Sequence, residues 1–201
     1  MNHMDANMLL LPVAIMAGAY LAGSLNVSII LFTLAGKEDP RSHFSGNAGT
    51  VNVWRQAGLG WAAIVLALDM LRGVLLALLA MYFLSPGFVP WVGFALILGN
   101  RYPCFHHFRG GKGVAAYLGF SLPVTAPLMA AIACAAWAGL YAITKIPFIS
   151  SFALVTILAV SAIMHFQCSL PAAAGVMATL LFICWNHRGN IRQLLQKDNK
   201  G

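Results

Sequence analysis

LGWAAIVLALDMLRGVLLALLAMYFL, residues 59–84, is the stretch that decides the fold. It is longer than the roughly 20 apolar residues a helix needs to cross a bilayer, and it ends at Ser85-Pro86-Gly87, a turn signal. Its only charges are Asp69 and Arg72, three apart on one helical face. Charged residues inside a span face the bundle interior and pair, so a structural ion pair is the expected role here.

Working outward, further apolar runs flank this one. A first span is expected at about Leu9–Ala35, followed by a polar loop over Gly36–Ala57. Beyond the quoted run, a short third span covers about Pro90–Asn100, and a basic loop covers Arg101–Gly113. The stretch from Val114 to Thr144 is too long for one helix and is cut by Pro123 and Pro127, so it is read as a short fourth span ending near Leu122 and a fifth from about Thr125. The sixth covers about Phe148–His165, the seventh about Pro171–Trp185, and Asn186–Gly201 forms a tail. The chain of 201 residues is 60% hydrophobic and 8% charged, against about 25% charged in soluble domains. The expected fold is an all-α polytopic membrane protein with about seven transmembrane helices in a single integral membrane domain, residues 1–201. The first run lacks a basic start and a small-residue cleavage site, and is read as a retained helix.

With seven spans, eleven of the twelve Lys and Arg residues fall on one side, and Arg72 is the exception. The positive-inside rule then puts the N-terminus outside and the C-terminus in the cytoplasm. The net charge of +7 reflects scarce acids rather than a dense basic patch, which argues against nucleic acid and fits an anionic membrane surface. The four cysteines show no metal-ligand spacing, so neither a metal site nor a disulfide framework is expected. His106-His107 and the five tryptophans read as interfacial or packing residues.

The polar residues gather on the cytoplasmic side. Ser45-Gly46-Asn47-Ala48-Gly49-Thr50-Val51-Asn52-Val53-Trp54-Arg55 is too rich in Gly, Asn and Ser to span. Small residues let backbone approach a ligand, and Arg55 adds a permanent charge with a bidentate fork. Phe108-Arg109-Gly110-Gly111-Lys112-Gly113 leads into the fourth span and makes a natural anion site. It is not a Walker A loop, because Gly113 follows Lys112 where Ser or Thr is required. His187 and Asn190 share a helical face after the last span, and Ser150-Ser151 lies at the cytoplasmic end of the sixth. The plainer alternatives are a flexible connector, topogenic anchors and snorkelling groups. Taken together, these groups suit phosphate at a membrane face, hence chemistry between a soluble phosphorylated substrate and a lipid.

Gly23-Ser24, Asp39-x-Arg41, Ser45-Gly46-Asn47-x-Gly49-x-x-Asn52-x-x-Arg55, Asp69-x-x-Arg72-Gly73, Pro103, Gly110 to Ala115, Ser151 and His187-Arg188-x-Asn190-Ile191 occur in this order. The set resembles the bacterial acyl-phosphate:glycerol-3-phosphate acyltransferases, the PlsY family, over nearly the whole chain. The resemblance implies a seven-span enzyme of the bacterial cytoplasmic (inner) membrane with its active site facing the cytoplasm. It implies transfer of a fatty acyl group from acyl phosphate to the first hydroxyl of glycerol 3-phosphate, giving lysophosphatidic acid and phosphate, with no metal or cofactor. It also implies functional coupling to an enzyme that forms acyl phosphate. By motif position, Ser45, Arg55, Lys112, Ser151, His187 and Asn190 correspond to functional residues. His187, Ser45 and Asn190 are assigned to catalysis. Arg55, Lys112, Gly110, Gly111, Gly113, Ser151, Asn47, Asn52 and Gly46 are assigned to substrate binding, the two asparagines as direct contacts or as supports.

Several positions depart from the family's usual residues. Phe44 stands at a usual Gly, Asn26 and Ala48 at usual Pro, Val51 and Ala116 at usual Thr, Arg72 at a usual Lys, Asn100 at a usual His and Gln193 at a usual Arg. Lys197 and Asn199 replace the Gly and Glu of the terminal signature. A divergent paralogue with another acceptor or weak activity stays open on these grounds. A small-anion transporter is the rival from another class. It would need a path across the membrane, and the outer loops are almost uncharged.

Overall fold

The computed structural model describes residues 3–198, so Asn199 and Lys200 of the tail lie outside the described residues. Ten α-helices account for most of the chain: α1 (His3–Ser24), α2 (Val27–Leu34), α3 (Thr50–Ala57), α4 (Leu59–Phe83), α5 (Val89–Arg101), α6 (Val114–Ser121), α7 (Pro127–Thr144), α8 (Pro147–His165), α9 (Leu170–Asn186) and α10 (Arg188–Asp198). Helices α4, α7 and α8 are each long and apolar enough to cross a membrane. Counting the bent pairs α1–α2 and α9–α10 as single spans brings the number to five. Large apolar side chains such as Leu75 and Tyr82 of α4 point outward, as hydrocarbon-facing residues do.

The expected first span, Leu9–Ala35, is broken. Helix α1 stops at Ser24 and α2 restarts at Val27, bent by 41°. Asn26 makes the restart, because its Oδ1 accepts from Ser28 Oγ at 2.9 Å and Ile29 N at 3.4 Å. The carbonyls freed at the end of α1 need donors in an apolar surround. Arg72 of α4 supplies them: Nη1 donates to Leu25 O at 2.6 Å and to Ala22 O at 3.0 Å. The expected polar loop, Gly36–Ala57, is not all loop: its last eight residues form α3. Val53 buries completely against Phe32, Ala62 and Val65, and Arg55 sits in the final turn. The density of Gly and Asn upstream masks this short amphipathic pattern.

Helix α5 is the centre of the bundle, buried along most of its length and packed between α1 and α9. Two helix pairs approach at reciprocal glycines. A Cβ at Gly99 would lie 2.0 Å from Tyr20 O and one at Gly23 2.2 Å from Leu96 O, joining α1 to α5. Gly119 and Gly73 do the same for α6 and α4. The division expected near Pro123 is real: α6 ends in a 3₁₀ turn, Leu122–Val124, before α7 begins. These packings bring the α3 segment, the start of α6, the start of α8 and the α9–α10 junction to one end of the bundle.

Candidate functional site

The two polar loops are stitched together by one arginine. Arg41 binds the Asp39 carboxylate through Nε and Nη2, and its Nη1 donates to His106 O at 2.9 Å and Arg109 O at 2.7 Å across the second loop. This pairing holds the Asp39 carboxyl below its ordinary range. Asn52, almost wholly buried, organises the first loop. Its Oδ1 accepts from Ser45 N at 3.2 Å and Ser45 Oγ at 3.1 Å, while Nδ2 donates to Pro40 O and His43 O. Just before Ser45, Phe44 has φ 51°, in the left-handed region that favours glycine. That conformation explains why this position suits glycine, and the exposed Phe44 ring forms no part of a core.

In the second loop, Gly110 and Gly111 pack rather than bind. Their N–H groups donate to Arg101 O at 3.1 Å and Asn100 O at 2.9 Å, so they do not point at a ligand. A Cβ on Gly110 would lie 2.1 Å from Asn100 O, and one on Gly111 2.7 Å from Ala48 O. Gly113, at φ +89°, turns the chain into α6, whose first-turn amides lack helical acceptors. The loop thereby projects Lys112 inward, where Nζ donates to Asn190 Oδ1 of α10. Burial, then the neighbouring charges of Arg101 and Arg55, lower the Lys112 ammonium from 10.5 to about 8.

His187 ends α9 and is 3% exposed. Nδ1 lies 2.8 Å from Ile183 O, and a carbonyl only accepts, so Nδ1 carries the proton and Nε2 keeps its lone pair. Burial is the main reason its pKa falls to about 4, with Lys112 and Arg101 adding to it. Phe148 and Phe152 of α8 flank the ring. One turn away, Ser151 Oγ donates to Pro147 O at 2.9 Å and accepts from Trp137 Nε1 at 3.3 Å.

These groups share one cavity of about 640 Å³. Of the residues singled out from the sequence, Ser45, Asn47, Asn52, Arg55, Lys112, Gly113, Ser151, His187 and Asn190 line it. Gly46, Gly110 and Gly111, expected to contact substrate, are not among the lining residues; their N–H groups donate to His43 O, Arg101 O and Asn100 O within the loops. Asn52 is committed to holding the Ser45 loop. Trp54 and Trp137, read as interfacial or packing residues, line the cavity with Tyr141, Phe148, Leu66 and Leu154. The lining therefore combines polar and charged groups with apolar and aromatic side chains, as a phosphorylated amphiphile requires. Asp69 and Asn100 also line it. The Asp69–Arg72 pair is present at 2.6 Å, as its spacing implied, but its place on a cavity wall was not legible. Among the described residues no cluster of three or more His, Cys, Asp or Glu side chains could hold a metal.

Residues 13–197 match the protein family described as glycerol-3-phosphate acyltransferase. The glycerol-3-phosphate acyltransferase of Thioalkalivibrio sulfidiphilus is 41% identical over 189 residues, covering 94% of this chain and 92% of the relative. That of Hydrogenovibrio crunogenus is 41% identical over 184 residues, covering 90% and 86%. Among solved structures, PlsY (YgiH), an integral membrane glycerol 3-phosphate acyltransferase, superposes in its glycerol 3-phosphate form with a TM-score of 0.84 at 29% identity, covering 92% of both chains. Its lysophosphatidic acid form gives 0.81 at 28% identity with the same coverage.

Proposed function

We propose that this chain, which belongs to the glycerol-3-phosphate acyltransferase family, moves a fatty acyl group from acyl phosphate to the first hydroxyl of glycerol 3-phosphate, releasing lysophosphatidic acid and phosphate. The observation that carries this reading is the cavity itself. It brings Arg55, Lys112 and the unprotonated Nε2 of His187 into one space with apolar and aromatic side chains.

Acyl phosphate is already activated, so the protein's work is to bind two anions, exclude water and align a hydroxyl with a carbonyl. Arg55 and Lys112 hold phosphate and stabilise the charge that grows on it as the acyl C–O bond breaks. The first-turn amides of α6 add donors. Ser45, Ser151 and Asn190 orient the glycerol and carbonyl oxygens. His187 Nε2 accepts the hydrogen bond of the attacking hydroxyl. Near pH 4 as a free group it is a weak base, and the negative charge of two bound phosphates raises it. The hydroxyl oxygen bonds to the carbonyl carbon, phosphate departs, and the proton leaves with the phosphate. The acyl chain lies along the apolar side chains, continuous with the bilayer. No step calls for a metal or for acyl-CoA.

The topology that serves this chemistry has seven crossings, counting α5 and α6 with its 3₁₀ turn as short spans. It puts the N-terminus outside and the site at the cytoplasmic face of the bacterial inner membrane. An enzyme that makes acyl phosphate supplies the donor. The test is an assay of purified protein with acyl phosphate and glycerol 3-phosphate, scoring phosphate and lysophosphatidic acid together, with chelator and acyl-CoA arms. Turnover that survives chelator and ignores acyl-CoA is expected; none with any chain length, in folded protein, refutes the reading. Labelling of single cysteines in the Ser45–Arg55 segment and the tail should find both on the cytoplasmic side.

A further inference from the structure

The ion pair inside α4 does more than neutralise itself. Arg72 Nη2 donates both to Asp69 Oδ1 at 2.6 Å and to Asn100 Oδ1 at 3.1 Å, fixing one end of two side chains from different helices. Asp69 is 7% exposed and Asn100 is 3% exposed, and both line the cavity. A guanidinium only donates, so the Asn100 amide has one orientation: Oδ1 toward Arg72 and Nδ2 away from it. Gly111 stands beside that nitrogen, and a Cβ there would lie 2.7 Å from Nδ2. The glycine leaves the donor uncovered. Among the described residues, Asp69 Oδ2 and Asn100 Nδ2 have no hydrogen-bond partner, yet neither atom is fully enclosed. In side chains this buried, the open side is the cavity.

A carboxylate oxygen only accepts and an amide N–H only donates. Side by side, they match a group that does both, which is a hydroxyl. They do not match a phosphoryl group, whose oxygens would meet the Asp69 charge. We propose that Asp69 and Asn100, oriented by Arg72, form a subsite that reads the hydroxyl of the acceptor that is not acylated. This rests on the reading above that the acceptor is glycerol 3-phosphate, whose reacting hydroxyl is assigned to the His187 side. Asp69 and Asn100 are then binding residues, and Arg72 is a positioning residue that acts through them.

The test compares two acceptors with the full-length protein: glycerol 3-phosphate, and 3-hydroxypropyl phosphate, which lacks the secondary hydroxyl. A buried pair left unmatched should give the wild type a preference of about tenfold or more in kcat/KM for glycerol 3-phosphate. Asn100→Ala and Asp69→Asn should bring that ratio close to one by lowering the glycerol 3-phosphate value alone. Arg72→Lys should keep the preference, and Arg72→Met should lose it. A merely structural role would lower both acceptors together and leave the ratio standing, and that result overturns the proposal, as does a wild-type ratio near one. If Asp69→Asn does not fold, Asn100→Ala decides, because it deletes a neutral group and leaves the ion pair whole. A folded wild type inactive with both acceptors refutes the acyltransferase reading itself, and this subsite with it.

Discussion

Lys112 carries its charge where charge is costly, and this can be measured. Its ammonium is lowered from 10.5 to about 8, a shift worth on the order of 3 kcal/mol against the charged form. Between about pH 8 and 10.5 the unfolded chain binds a proton that the native protein does not, so this group makes stability rise with pH across that window. Below about pH 8 the native ammonium is charged and the cost is carried, until a phosphate dianion in the cavity offsets it. Inorganic phosphate or glycerol 3-phosphate should therefore raise Tm more at pH 7 than at pH 10. The kcat/KM for glycerol 3-phosphate should fall as pH rises above about 8. Lys112→Met removes the charge at similar length. It should leave the Tm of the free protein undiminished, abolish the phosphate-induced rise, and lower kcat/KM about 10- to 150-fold, the value of one charge-assisted hydrogen bond of about 1.5–3 kcal/mol. Lys112→Arg should move the alkaline fall out of range without restoring the rate. A planar fork does not fit a loop closed against Asn100 and Ala48 by Gly110 and Gly111. The assays are thermal unfolding in detergent with and without phosphate, and initial rates from pH 6 to 10. An unchanged alkaline fall in Lys112→Met, or a loss no greater than that of the exposed tail variant Arg192→Ala, would refute the phosphate-site assignment.

His187 is buried neutral with a pKa of about 4, below the 6.5 of the unfolded chain, so its contribution to stability is whole above about pH 6.5 and drains away as pH falls toward 4; His187→Asn should flatten that acid slope in Tm against pH and cut kcat at least about a hundredfold. Asn52→Ala strands Ser45 N and two loop carbonyls and should cost about 2–3 kcal/mol together with a raised KM for glycerol 3-phosphate, whereas Asn52→Asp keeps the acceptor for Ser45 and should retain more activity. Phe44 sits in left-handed backbone with an exposed ring, so Phe44→Gly should change Tm little, while the β-branched Phe44→Val should destabilise by about 1 kcal/mol or more.

The apolar runs were legible because hydrocarbon demands them. The helix limits of α4, α7 and α8 fall within a few residues of the expected spans, since Gly58, Pro127 and Pro147 punctuate the chain at its surface. The break after Ser24 was not legible. Asn26 is a helix-start residue, but one Asn in a long apolar run is a weak signal, and the group that makes the break tolerable, the Arg72 fork, arrives from a helix some fifty residues later. Helix α3 was missed for the opposite reason. Its pattern is local but only two turns long, and Ser45, Gly46, Asn47 and Gly49 just before it read as loop.

The same division between local and distant causes governs the site. Residues whose chemistry is their own, such as Arg55, Lys112 and His187, could be nominated from type and spacing. Residues whose chemistry is assigned by a neighbour could not. Gly110 and Gly111 look like an anion cradle in sequence, yet their amides are spent on Arg101 and Asn100, and what they contribute is the absence of a Cβ. Asn100 looks like an ordinary helix-end residue until Arg72 turns its carbonyl aside and Gly111 leaves its nitrogen bare. Arg72 and Asn100 both depart from the pattern the motifs otherwise follow, and here they touch. A departure that looks mild alone therefore reaches the cavity wall through its partner. The pair is the place to look for a difference in how this chain reads its acceptor.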